Sequence, residues 1–256
     1  MTERPALEIA VTSPAGARAA RENGADRVEL CTALELGGLT PSAALVEAVA
    51  GEGLPVQVLV RCRPGDFVHD AQEIELMAAE VRSVIASGAS GVVIGALTAD
   101  GALDTVAVAR LVEAAHTPGR PVDVTLHRAV DQSADPVATA ALLPRLGVTR
   151  VLTSGGAPAA ADGLRVIAAM TAAVPKVQVM AGGGVRPADI PALMSAGVAA
   201  VHLSAKTRAP RRRGGSWVPL GAGGVSAEQD THFVTDPDVV AEARRAVEGS
   251  PAGSSP

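Results

Sequence analysis

The sequence predicts an α/β fold, a single (β/α)8 TIM barrel, and three observations predict it. The first is repetition: NGADRVELC (Asn23 to Cys31), SGASGVVIG (Ser87 to Gly95), LGVTRVLTS (Leu146 to Ser154) and AGVAAVHLS (Ala196 to Ser204) align on a glycine. In each, Gly24, Gly88, Gly147 or Gly197 closes a helical pattern where a left-handed cap needs no Cβ, and a β-branched run follows. The second is a further set of such runs between them: LEIAV (Leu7 to Val11), VQVLVR (Val56 to Arg61), VDVTLH (Val122 to His127) and VQVMAGG (Val177 to Gly183). The third is the interleaving of amphipathic stretches such as DAQEIELMAAEVRSVIAS, DTVAVARLVEAAH and DPVATAALLPRL. Eight strands alternating with helices in a 256-residue chain fit a barrel better than two domains.

The elements follow in order. Thr40 before Pro41 and Asp135 before Pro136 each place a capping side chain ahead of a proline at a first helical position. Residues Lys206 to Thr231, Gly-rich and basic at Arg211, Arg212 and Arg213, read as a long loop over one end of the barrel, where long loops are often functional. The barrel is expected over residues 1–249, and SPAGSSP at 250–256 as a disordered tail.

Composition excludes several classes. The net charge of −5, the single Trp, two Phe and no Tyr leave neither a basic footprint nor stacking platforms, so nucleic acid is not an expected partner. Cys31 and Cys62 are too few for a disulfide framework, which points to a reduced, cytoplasmic setting. No apolar run approaches a membrane span, and MTERPALEIA lacks the apolar core of a signal peptide.

Strand parity exposes the chemistry. If Leu7, Ile9, Val28, Leu30, Val56, Val58, Val124 and Leu126 face the helices, then Glu8, Glu29, Arg61, Asp123, Thr125, His127, Met180, His202 and Ser204 face the axis. Barrel interiors are usually filled with branched aliphatics. Two accounts of this polar interior stand side by side. One is an internal network in which Arg61 satisfies Glu29 or Glu8 and the histidines are hydrogen-bonded. The other is a site at the C-terminal ends of the strands, favoured because Arg61 and His127 end theirs.

At these residues the chain resembles a known family. NGADRVELC followed by GGLTPS (Gly37 to Ser42), R-x-R-x-G-D-F at Arg61 to Phe67, LHRAVD at Leu126 to Asp131, VLTSGG at Val151 to Gly156 and MAGGGVR at Met180 to Arg186 are similar to the CutC family of copper homeostasis proteins. The resemblance implies a TIM barrel, a homo-oligomer and a proposed role in copper tolerance with cysteines as Cu(I) ligands. It brings no established reaction. Cu(I) prefers two or more soft ligands. Only Cys31 stands at a matching family position, since LEIAV has Ala10 and Val11 where relatives often carry cysteine, and Cys62 replaces a usual proline and has outward parity. Met180 could lend a thioether. The metal candidate is therefore Cys31, for Cu(I) or another ion, and no cofactor is certain.

An enzyme reading rests on other groups. Gly182, Gly183 and Gly184 after the seventh strand, Ser204 after the eighth, and Ser154 and Gly155 after the sixth occupy the turns where barrels bind phosphate. His127 is the candidate acid or base, Arg61 the clamp for a carboxylate or enolate, and Glu8 and Glu29 partner bases or hard ligands with His127 and His202. Asp66 and Asp131 could orient Arg61, Arg128 or a substrate. The function expected is a CutC-like copper homeostasis protein whose barrel mouth binds a small anion. The alternative is a lyase or isomerase acting on a phosphorylated or carboxylated metabolite.

Overall fold

The computed structural model describes residues 4–210 and 232–249. Eight parallel strands pair in chain order: β1 (Ala6–Val11), β2 (Arg27–Leu30), β3 (Val56–Leu59), β4 (Gly91–Ile94), β5 (Asp123–Leu126), β6 (Arg150–Thr153), β7 (Gln178–Gly182) and β8 (Ala200–Leu203). β8 pairs back to β1, so the sheet has no open edge. Around it run α1 (Pro14–Glu22), α2 (Ala43–Ala50), α3 (Ala71–Ala86), α4 (Thr105–Ala115), α5 (Pro136–Leu142), α6 (Leu164–Ala173), α7 (Ile190–Ser195) and α8 (Pro237–Gly249).

The glycines behave as the repeat requires: Gly24, Gly88, Gly147 and Gly197 all have positive φ at the ends of helical segments. Asp135 caps α5 with Pro136 at the first position, accepting from the amides of Val137 and Ala138. Thr40 does not cap α2. Ser42 does, accepting from the Leu45 amide, because the helix begins beyond Pro41 at Ala43. Thr40 instead accepts from the Arg61 amide and donates to Glu80. Lys206 to Thr231 is not simply a loop either: β9 (Lys206–Arg208) pairs antiparallel with β10 (Phe233–Thr235). Arg211, Arg212, Arg213 and the tail at 250–256 lie outside the described residues.

The parity reading holds for the outer core. Leu7, Ile9, Val28, Leu30, Val58, Ile94, Leu126, Val151 and Val201 are buried in one cluster with Val46, Val81, Leu111, Ile167 and Val240 from the helices. Each such side chain contributes roughly 1.5–3 kcal/mol by leaving water. Inside the barrel the aliphatic filling is thin: Cys31, Leu59 and Val93 form one small cluster, and Leu152, Met180 and Ala200 another.

The rest of the interior is a polar network organised by register. Glu8 lies opposite Arg27 on β2 and opposite His202 on β8. Its carboxylate accepts from Arg27 Nε and sits 2.8 Å from His202 Nδ1, and His202 Nε2 reaches Glu29 at 3.5 Å. Arg150 on β6 donates to Gln178 and Thr125 and pairs with Asp123. Arg61 therefore does not neutralise Glu8 or Glu29. Arg27 pairs with Glu8, because it points inward two residues before Glu29 and lies in register with Glu8.

Candidate active site at the barrel mouth

The C-terminal ends of the strands enclose a cavity of about 240 Å³. Glu29, Cys31, Arg61, His127, Arg128, Gly183, Gly184, His202 and Ser204 line it, with Leu34, Leu59, Phe67 and Leu152 as apolar wall. Seven of the expected site residues, Glu29, Cys31, Arg61, His127, Gly183, Gly184 and Ser204, thus converge there with Arg128 and His202. Glu8 lies beneath, and Gly182, Ser154 and Gly155 do not line it.

Arg61 stands two residues past the end of β3 and is buried. Its guanidinium donates to three backbone carbonyls: Leu36 and Gly38 from Nη1, and Gly65 from Nη2. Among the described residues it forms no ion pair, and Nε has no hydrogen-bond partner. Phe67 lies under the guanidinium with its centroid 5.1 Å from Cζ. A buried cation without a counterion is costly unless an anion joins it.

His127 follows β5 and begins a short 3-10 turn, where Nδ1 accepts from the Ala129 amide at 3.1 Å. That hydrogen bond assigns the proton to Nε2. Nε2 is buried and has no hydrogen-bond partner among the described residues. Gly95 makes room for the ring: a Cβ there would fall 2.4 Å from Cε1. Burial, reinforced by the Arg61 charge, pushes the imidazole pKa down to about 3. His127 is thus a neutral N–H donor at physiological pH, and the expectation that it titrates near neutrality is corrected by its surroundings.

Glu29 is a carboxyl that lines the mouth. Burial raises its carboxyl pKa to about 7, helped by Glu8 and opposed by His202. Glu8 goes the other way: burial is outweighed by His202 and Arg27, which hold it at about 2. His202 is raised, burial being outweighed by Glu29 and Glu8. Two carboxyls on adjacent strands thus have opposite protonation preferences, a pattern that separates a fixed charge from a proton carrier.

The turns after β6 and β7 divide their roles. Asp131 accepts from Arg128 Nε, from Thr153 Oγ1, and from the amides of Ser154 and Gly156. The Gly155 amide donates to Thr153 Oγ1. Ser154 and Gly155 therefore brace Asp131 and the turn and do not present donors to the cavity. Asp131 does orient Arg128, whose Nη2 also donates to Ser154 Oγ. Asp66 pairs with Arg63, not with Arg61. Gly183, at φ +102, lies against Arg128: a Cβ would come within 2.7 Å of Cζ. Arg27 and Arg150 are interior groups, and Arg128 a mouth group, that are not among the site residues expected from the sequence. Parity extended to each strand's first residue would have found Arg27 and Arg150.

The copper expectation rests on Cys31. Its thiol is buried among Leu59 and Val93, and burial followed by Glu29 pushes its pKa up. Met180 packs in the other inner cluster, its sulfur accepting from Arg27. Cys31 and Met180 thus lie in separate clusters of the barrel interior.

Fold and site together define a TIM barrel with a polar cavity at the C-terminal ends of its strands. The chain belongs to the CutC family, whose model matches residues 6–207. It is 45% identical over 207 residues to a family protein CutC of Xanthomonas campestris pv. campestris (strain B100), covering 80% of this chain and 84% of the relative. It superposes on the crystal structure of a CutC described as a copper homeostasis protein, from Streptococcus agalactiae, with TM-score 0.71 at 26% identity, covering 78% of this chain and 98% of that one. Thiamine phosphate pyrophosphorylase from Pyrococcus furiosus, TM-score 0.57 at 16% identity over 95% of this chain and 96% of its own, shares the fold alone. No helix among the described residues is long and apolar enough to cross a membrane.

Proposed function

We propose that the barrel mouth binds a small carboxylated or phosphorylated metabolite and moves a proton on it, as a lyase or isomerase does. The observation that carries this reading is the pair of orphaned donors, Arg61 Nε and His127 Nε2, on the wall of one cavity. Arg61 supplies permanent positive charge, and His127 a neutral N–H that can hydrogen-bond an enolate or carboxylate oxygen without giving up its proton. Glu29, titrating near neutrality, takes or returns the proton, while Glu8 holds His202 in place beside it. Arg128, braced by Asp131, adds a second charge at the rim. The anion turns reduce to Gly183, Gly184 and Ser204, the members that reach the cavity.

The test is a thermal-shift and calorimetric screen of the full chain with inorganic phosphate and with short 2-oxo and 2-hydroxy acids. At least one anion should raise the melting temperature of the wild type, and Arg61→Met and His127→Phe should each abolish that rise. No response to any of these anions, or a response undiminished in both variants, sinks the reading.

A further inference from the structure

A second cluster of reactive side chains lies outside the barrel mouth, at the start of α3. Cys62, His69 and Glu73 each offer one ligand atom, and these atoms lie within 4.8 Å of one another. Cys62 Sγ is 4.0 Å from His69 Nδ1, and Nδ1 is 3.4 Å from Glu73 Oε2. Cys62 packs against the outer core, on the opposite side of the sheet from Cys31. The His69 side chain has no exposed surface, and its Nε2 lacks a hydrogen-bond partner among the described residues. Local structure fixes the spacing: Asp70 caps α3, and Glu73 closes the capping box by accepting from the Asp70 amide, which brings His69 and Glu73 together across the helix start.

We propose that Cys62, His69 and Glu73 form a binding site for a borderline transition ion of the Zn²⁺ type. Thiolate, imidazole and carboxylate are the donors such ions take, at about 2.3 Å for sulfur and about 2.0–2.2 Å for nitrogen and oxygen. At a tetrahedral angle those lengths put nitrogen and oxygen about 3.3 Å apart and sulfur and nitrogen about 3.6 Å apart. The nitrogen–oxygen spacing already fits, and Sγ has to close by a few tenths of an ångström. A divalent ion would displace the Cys62 proton, with the Cys62 thiolate and Glu73 balancing its charge. Arg63 also pairs with Glu73 and competes for its oxygens, which makes this a moderate rather than a very tight site.

The ion would clip together the segment between Cys62 and Glu73. That segment carries the Gly65 carbonyl that holds Arg61 and the Phe67 ring 4.7 Å from that of His127. The site would thereby fasten one wall of the mouth from outside.

The experiment is titration of the reduced, metal-free full chain with Co²⁺, followed by displacement with Zn²⁺. One equivalent per chain should produce a thiolate-to-cobalt charge-transfer band in the near ultraviolet. Cys62→Ser should abolish the band, His69→Gln should lower affinity by more than the roughly 10–100-fold typical of an outer-shell residue, and Cys31→Ser should leave both unchanged. Circular dichroism of each variant separates loss of ligand from loss of fold, and Glu73→Gln provides a further ligand variant that keeps the chain's volume. A wild type with no thiolate band, or a band lost in Cys31→Ser but kept in Cys62→Ser, overturns the assignment.

Discussion

The lower interior of the barrel and its mouth are built from the same residue types, yet they differ in how their charges are satisfied. Below, Arg27 has Glu8, Arg150 has Asp123, Thr125 and Gln178, and His202 sits between two carboxyls. At the mouth, among the described residues, the Arg61 guanidinium is hydrogen-bonded by backbone carbonyls alone, and His127 Nε2 has no hydrogen-bond partner. The difference teaches how to tell a polar core from a polar site. A network whose members satisfy one another replaces the usual aliphatic filling, whereas at the mouth two buried donors are left without partners among the described residues, the feature on which the proposed ligand binding rests.

The comparison breaks most easily at Arg27. Arg27→Met strands Glu8 against a weaker neighbour and is expected to destabilise the fold by about 3–5 kcal/mol, read from the urea midpoint. A cost as small as that of the matching change at the mouth would erase the distinction between the two regions.

Glu29, which touches both regions, sharpens it. Its carboxyl titrates at about 7 when folded and near its usual 4.5 when unfolded, so between these values the folded chain keeps a proton that the unfolded chain has lost. The unfolded state then binds fewer protons, and this group's contribution to stability falls as pH rises through that window, by up to about 3 kcal/mol. Glu29→Gln should flatten that decline in chemical denaturation measured from pH 4.5 to pH 7. An unchanged pH profile would place the neutral-range proton elsewhere.

Arg61→Met should have the smallest structural effect, about 1–2 kcal/mol, because it removes donors from three carbonyls without stranding a buried charge. The same urea titration checks it against Arg27→Met. A loss equal to that of Arg27→Met would mean that Arg61 is a structural member and not a ligand group.

The sequence alone determined the barrel. Eight β-branched runs, the glycines that end the helical segments and the alternation along each strand are local signals, and they forced Val124 and Leu126 outward and Thr125 and His127 inward. It also marked Arg61, Glu29 and His127 as interior polar groups, because parity requires only the neighbours along one strand. What it left open depended on registers between strands and on loop paths, which no single strand records. The tertiary structure decided that Glu8 meets Arg27 and His202 and not Arg61, since β1 pairs with β2 and β8 at those rows. It decided that Ser154 and Gly155 serve Asp131 and Thr153, that burial beside Arg61 makes His127 a donor instead of a base, and that the helix cap at Asp70 brings His69 and Glu73 to Cys62. Partners and pKa values arise from distance and desolvation, and both exist only once the sheet has closed.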